Sequence, residues 1–201
     1  MTMPGARGCG IVVIAVTLAG TLTAAPTLPQ RRPATVASPG TDPWVSRAAK
    51  LQVRPQRSAD APLQVEFPTK DWMVLPSSGA LVLAAASRKG DAVVLIERST
   101  LRQALDPADI TDLFAQIEIE AIKERQPKAA DFQSKVLDSG ARRLVAVQYN
   151  RPGVLGNERV RQYSVPVGTD LYRVTCISSA ARFTVYDPVF SHIAASLSFT
   201  G

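Results

Sequence analysis

The chain has 201 residues, 46% of them apolar, and a formal net charge of +6 from 23 basic and 17 acidic side chains. That is enough for one domain with appendages, and the apolar fraction is ordinary for a globular core. The excess charge sits early: residues 26–62 carry Arg31, Arg32, Arg47, Lys50, Arg54 and Arg57 against Asp42 and Asp60, while residues 63–201 are nearly balanced. This excludes the basic footprint of a nucleic-acid-binding domain.

Residues 1–25 read as a signal peptide or N-terminal anchor. Arg7 precedes the apolar run Ile11-Val12-Val13-Ile14-Ala15-Val16-Thr17-Leu18-Ala19, and Thr21-Leu22-Thr23-Ala24-Ala25 offers a cleavage region. The run is short for a bilayer, which takes about 20 residues. Pro26 disfavours cutting directly before it, so cleavage after Ala24 is expected; an uncleaved anchor would extend to Leu28. Either arrangement places the rest of the protein outside the cytoplasm, in the periplasm or on the outer face of the membrane. Cys9 precedes the apolar run rather than ending it, which argues against lipidation. Removal of the leader leaves Cys176 alone, with no intramolecular disulfide. Cys176 shares strand parity with Tyr172 and Val174, as a small buried residue would.

Residues 26–62 hold seven of the 15 prolines, spaced by small and basic residues, a composition expected to be an extended, flexible linker. Within it Asp42-Pro43-Trp44 could start a short helix with Trp44, Ala48 and Leu51 on one side and Arg47, Lys50 and Arg54 beside them. Such a basic turn with a tryptophan anchor suits a protein partner or an anionic membrane surface. The alternative is a solvated tether whose tryptophan touches the domain.

The folded domain is expected over residues 63–201. Leu63-Gln64-Val65-Glu66-Phe67 alternates as a first strand and stops at Pro68. Asp71-Trp72-Met73-Val74-Leu75 follows, then residues 80–87 and 92–98, two nearly continuous apolar runs joined by Arg88-Lys89-Gly90-Asp91 and expected to be buried on both faces. Residues 141–149, 159–167 and 171–178 alternate with a period of two and form a central antiparallel three-stranded meander. Arg143, Val145, Val147 and Tyr149 share one face, Leu144, Ala146 and Gln148 the other. Gly168 serves the tight turn between the last two strands.

Two helices complete the pattern. Asp106 caps the first, with Pro107 at its first position and a stripe of Ile110, Leu113, Phe114, Ile117 and Ala121; Glu118, Glu120, Lys123, Glu124 and Arg125 form its solvated side. Asp187-Pro188 repeats the cap signal, and Phe190, Ile193, Ala194 and Leu197 make the second stripe. The class is α+β, with the two helices packed on an antiparallel sheet.

Several short features occur in an order that resembles the PsbP-like proteins. They are Phe67-Pro68 with Asp71-Trp72, the acidic-capped helix from Asp106, Gly140-Ala141-Arg142 opening a strand, and Gln162 in the next strand. Gly168 to Tyr172 and the Ser196-Leu197-Ser198-Phe199 ending complete the set. The family includes an extrinsic photosystem II subunit, bacterial envelope lipoproteins and a Ran-binding nuclear import factor. The resemblance covers about residues 63–200 and implies an α-β-α sandwich and a non-enzymatic role as an accessory, binding or assembly protein. It carries over no metal or partner residues.

No nucleophile elbow, phosphate loop or His/Cys cluster of metal-ligand spacing occurs, so no catalytic residue, metal or cofactor is assigned. His192 is the only histidine, and an enzyme using it as a base would need an orienting acid and a nucleophile. The hairpin 150–157 presents Val154 and Leu155 either as a partner contact or as residues folded back on the sheet. These features indicate an exported accessory protein that docks on a membrane-associated complex or envelope partner. Its contacts would be Arg31, Arg32, Trp44, Arg47, Lys50, Arg54, Arg57, Val154 and Leu155. The alternative is a free-standing module that binds a small ligand between sheet and helix.

Overall fold

The computed structural model describes residues 42–139 and 142–200. The expected leader, Arg31 and Arg32 lie outside the described residues. Ten strands and two helices occur in the order β1 Val53–Arg57, β2 Leu63–Pro68, β3 Trp72–Leu75, β4 Leu81–Ser87, β5 Ala92–Thr100, α1 Asp112–Arg125, β6 Ala130–Ser139, β7 Arg142–Gly153, β8 Gly156–Val167, β9 Asp170–Ser179, α2 Phe183–Ser196 and β10 Ser198–Phe199. Seven strands form one antiparallel sheet in the order β3-β4-β5-β9-β8-β7-β6, and β1-β2-β10 form a smaller one.

The meander β7-β8-β9 lies within the large sheet, and its period of two sorts the side chains as the sequence implies. Val145, Val147, Tyr149, Val160 and Ile177 pack with α1 on one face. Leu144, Ala146, Tyr163, Val165, Tyr172, Val174 and Cys176 pack with α2 and the smaller sheet on the other. The architecture is therefore an α-β-α sandwich of the α+β class. Val167 pairs with Asp170 across a two-residue turn, where Gly168 has φ +59°, a left-handed conformation without steric cost only for glycine.

Several expectations are corrected. Residues 42–62 are not a flexible linker: Val45 is buried in the α2-side core and β1 pairs with β2 from Val53↔Pro68 to Arg57↔Gln64. Residues 42–51 form no helix; two turns, closed by Val45 N–H to Asp42 C=O (3.0 Å) and Leu51 N–H to Ala48 C=O (3.2 Å), shape the segment instead. In β4 Val82 to Ala85 are buried in succession, but β5 alternates buried with half-buried residues.

The Asp106 signal builds only one turn of 3-10 helix, Pro107–Asp109, closed by a reciprocal capping box between Asp106 and Asp109. The chain then restarts as α1 with Thr111 at its N-cap. This restart rotates the helix, so Leu113 and Ile117 are 70% and 56% exposed, whereas Ala115, Glu118, Ile119 and Ile122 face the sheet. The second helix starts four residues before Asp187 and keeps Pro188 inside it, which removes one backbone hydrogen bond. Its stripe of Phe190, Ile193, Ala194 and Leu197 is buried as expected. The edge strand β6 has no counterpart in the sequence reading, because only Leu137 among its residues is buried.

Candidate functional site

Residues 42–48 are held on α2 and β8 by side chains that satisfy their backbone. Tyr163 Oη donates to the Trp44 carbonyl (2.7 Å) and Ser191 Oγ to the Pro43 carbonyl (2.7 Å). The Ala48 N–H donates to His192 Nδ1 (3.2 Å). Nδ1 is thus an acceptor, so Nε2 carries the proton and donates to Glu66 Oε2 (3.0 Å). His192 is buried and both of its nitrogens are engaged by groups of the fold.

Beneath this segment lies Arg161, 3% exposed. Its guanidinium sits 4.5 Å from the Trp44 ring and 5.2 Å from the Phe183 ring and donates to Gln148 Oε1 (2.8 Å) and Asp187 Oδ1 (2.5 Å). A buried cation needs such partners to offset lost hydration. Lys135 covers the indole, 4.8 Å from its centre, and pairs with Asp42 at 3.2 Å. Trp44 is thus half-buried and packs against the domain.

The opposite face holds a second buried charge. Glu118, placed by the sequence pattern on the solvated side of α1, is 2% exposed. Its carboxylate accepts from Arg173 through both oxygens (2.9 and 3.0 Å), from Ser164 Oγ (2.7 Å) and from Gln162 Nε2 (3.1 Å). Burial alone would raise its pKa, but the Arg173 bonds and charge, with Ser164, hold it below the usual glutamate range. Cys176, fully buried, has its thiol pushed far up by burial and is inert at neutral pH.

At the hairpin tip Val154 is 100% exposed and Leu155 half-buried. The expected long loop is a two-residue turn, because β7 and β8 pair as far as Gly153↔Gly156. Glu158 anchors it, accepting from Arg151 Nε (2.9 Å) and the Leu155 N–H (3.1 Å). Gly153 leaves room for that carboxylate, since a Cβ there would stand 2.1 Å from Glu158 Cδ.

Of the expected contact residues, Arg47, Lys50, Arg54 and Arg57 are exposed along the segment that leads into and through β1. Arg47 lies 3.7 Å from Glu66, and Arg57 Nε donates to Gln64 at 2.9 Å. Lys50 also lines a cleft of about 520 Å³ between α2, the β2–β3 connection, the β4–β5 turn and residues 50–52. Pro68, Trp72, Val185 and Val189 give it apolar walls, and Lys50, Lys70, Lys89 and Arg182 give it cations against the single carboxylate of Asp71. Its volume is that of a small-molecule site.

Backbone bonds fix three of the cleft's walls: Thr69 N–H to Gln52 C=O (2.9 Å) ties the β2–β3 connection to residues 50–52, and Arg88 N–H to Asp71 C=O (2.8 Å) ties the same connection to the β4–β5 turn. Asp71 holds φ +62° at the corner, which Asp tolerates better than most residues. Behind it Asp91 accepts from Ser87 Oγ (2.6 Å) and from Tyr186 Oη. Those bonds outweigh the rise that burial would cause and hold its carboxyl low. Sequence reasoning missed Lys70, Lys89 and Arg182 because they lie in separate, distant stretches of chain, Lys89 within a turn read only as a connection; Lys50 alone belonged to the basic stretch 26–62.

No family model matches the chain, and no curated protein matches it. Solved structures do. The cyanobacterial PsbP (CyanoP) of Synechocystis sp. PCC 6803 aligns over 79% of this chain and 100% of its own, with TM-score 0.56 and 11% identity. LpqN of Mycobacterium tuberculosis, described as involved in cell envelope biogenesis, aligns over 75% of this chain and 91% of its own, with TM-score 0.50 and 15% identity. A protein of Bacteroides thetaiotaomicron aligns over 75% of this chain and 50% of its own, with TM-score 0.52 and 9% identity. The fold is PsbP-like.

Proposed function

We propose that this PsbP-like chain is a non-catalytic, exported binding protein that docks on a membrane-associated complex or an envelope partner. The observation that carries the reading is the division of labour among its charged groups. Arg161, Glu118 and His192 are buried and committed to holding the fold, whereas the cations Arg47, Lys50, Arg54 and Arg57 line the surface beside the N-terminal approach to the domain. Surfaces of this kind recruit anionic partners. The signal-like leader and the described involvement of LpqN in cell envelope biogenesis support export.

The test is fractionation of the native cells, with the mature N-terminus determined and the protein followed after mild solubilisation. The expected result is cleavage near Ala25 and comigration with a large membrane complex, weakened when Arg47, Arg54 and Arg57 are changed together to Gln. Migration as a lone monomer would overturn docking. The cleft favours a second reading, a free-standing exported small-ligand module, which that monomer result would support.

A further inference from the structure

We infer that the cleft between α2 and the β2–β3 connection is a binding site for a single-chain anionic amphiphile, an acyl chain ending in a carboxylate or phosphate. The inference deepens the binding-protein reading and rests on it. Three independent features converge. The floor is apolar: Trp72 is buried with its ring edge-on to Tyr186, 6.1 Å between centres, while Val185 stands 61% exposed within the cleft. An apolar side chain so placed on a helix gains only when something covers it.

The rim carries four cations against the one lining carboxylate of Asp71. Lys50, Lys70 and Lys89 have no ion-pair partner among the described residues, whereas Arg182 pairs with Asp91 Oδ2 at 3.6 Å, the oxygen left open by Ser87 and Tyr186, which both bond Oδ1. The walls come from four separated stretches of chain, three tied by main-chain hydrogen bonds and α2 by the Tyr186–Asp91 side-chain bond, so the charges are gathered by the fold and not by local sequence. A neutral apolar ligand would use the floor but not the rim, and a free inorganic anion the rim but not the floor. The amphiphile uses both, with its head among the lysines and its chain over Trp72 and Val185.

Trp72 supplies the reporter. In the Trp44→Phe variant of the full chain, Trp72 is the sole tryptophan, and its fluorescence is titrated with laurate and with lauryl phosphate below their micelle concentrations. Dodecanol and inorganic phosphate serve as the two half-ligands. Saturable binding of either anionic amphiphile, at least tenfold tighter than dodecanol or phosphate, is expected, and which of the two binds better identifies the head group. Lys70→Glu with Lys89→Glu should weaken it at least tenfold, and Val185→Asp by a similar factor, with the unfolding midpoint of these exposed-site variants unchanged. Binding of dodecanol as tight as laurate, binding of phosphate alone as tight as the amphiphiles, or no saturable binding would each overturn the inference. Comigration with a membrane complex is read separately, so failure here leaves docking standing and loss of docking leaves the cleft result intact.

Discussion

The two faces of the central sheet solve the same packing problem differently. On the α2 face, Phe183, Tyr186, Phe190 and Ile193 bury aromatic and aliphatic area against Tyr163, Val165, Tyr172 and Val174. On the α1 face the helix offers only Ala115, Ile119 and Ile122 with a half-buried Phe114, and the carboxylate of Glu118 supplies a four-bond polar anchor. A helix poor in apolar contacts is positioned by geometry-specific hydrogen bonds, which do not tolerate loss of one partner. A helix rich in them is positioned mainly by area, which does; the Arg161–Asp187 pair stands beside it.

The largest effect separating the faces should come from Phe190→Ala, expected to cost about 3–5 kcal/mol of unfolding free energy in a denaturant titration. Glu118→Ala should follow, at about 3 kcal/mol, because it leaves Arg173 and two buried polar groups without their acceptor. The exposed neighbour Ile117→Ser should stay within about 0.5 kcal/mol. A Glu118 variant as mild as the Ile117 variant would break the comparison.

Acid sharpens it further. Glu118 has its carboxyl depressed below the ordinary 4.5, so its contribution is fully present above that value and is lost as pH falls through the lower folded value. Asp91 titrates in the same direction on the α2 face, but that helix keeps its aromatic contacts. Hydrogen exchange measured at falling pH should therefore release the amides of residues 115–122 before those of 190–194; the reverse order would refute the assignment of charge and area to the two faces. An effect away from both faces concerns the hairpin: Gly153→Ala should displace Glu158 and cost about 1–2 kcal/mol, with the Leu155 amide losing exchange protection first.

The meander and α2 were legible because period and burial coincide: every second residue of β7 to β9 meets the same helix, and Phe190, Ile193, Ala194 and Leu197 recur at helical spacing. The α1 face was not, since Leu113 and Ile117 fit a helical stripe that the restart at Thr111 turns outward. A signal did exist in Gln162, Ser164 and Arg173, polar residues in register on one face of adjacent strands. An inward face with three polar groups asks for a buried charged partner. Residues 42–52 resisted because their order comes from Tyr163, Ser191 and His192, more than a hundred positions away. Composition records what a segment lacks, and not what distant side chains lend it.

That borrowed order has a mechanical meaning. A tension applied at Asp42 reaches the body of the protein through the side-chain bonds of Ser191, Tyr163 and His192 in turn, and only afterwards through the β1–β2 ladder. Bonds loaded one at a time peel at lower force than a ladder sheared as a unit. The segment that peels carries Lys50, Leu51 and Gln52, one wall of the cleft. Pulling on the N-terminal arm would thus open the cleft while leaving the sheet whole.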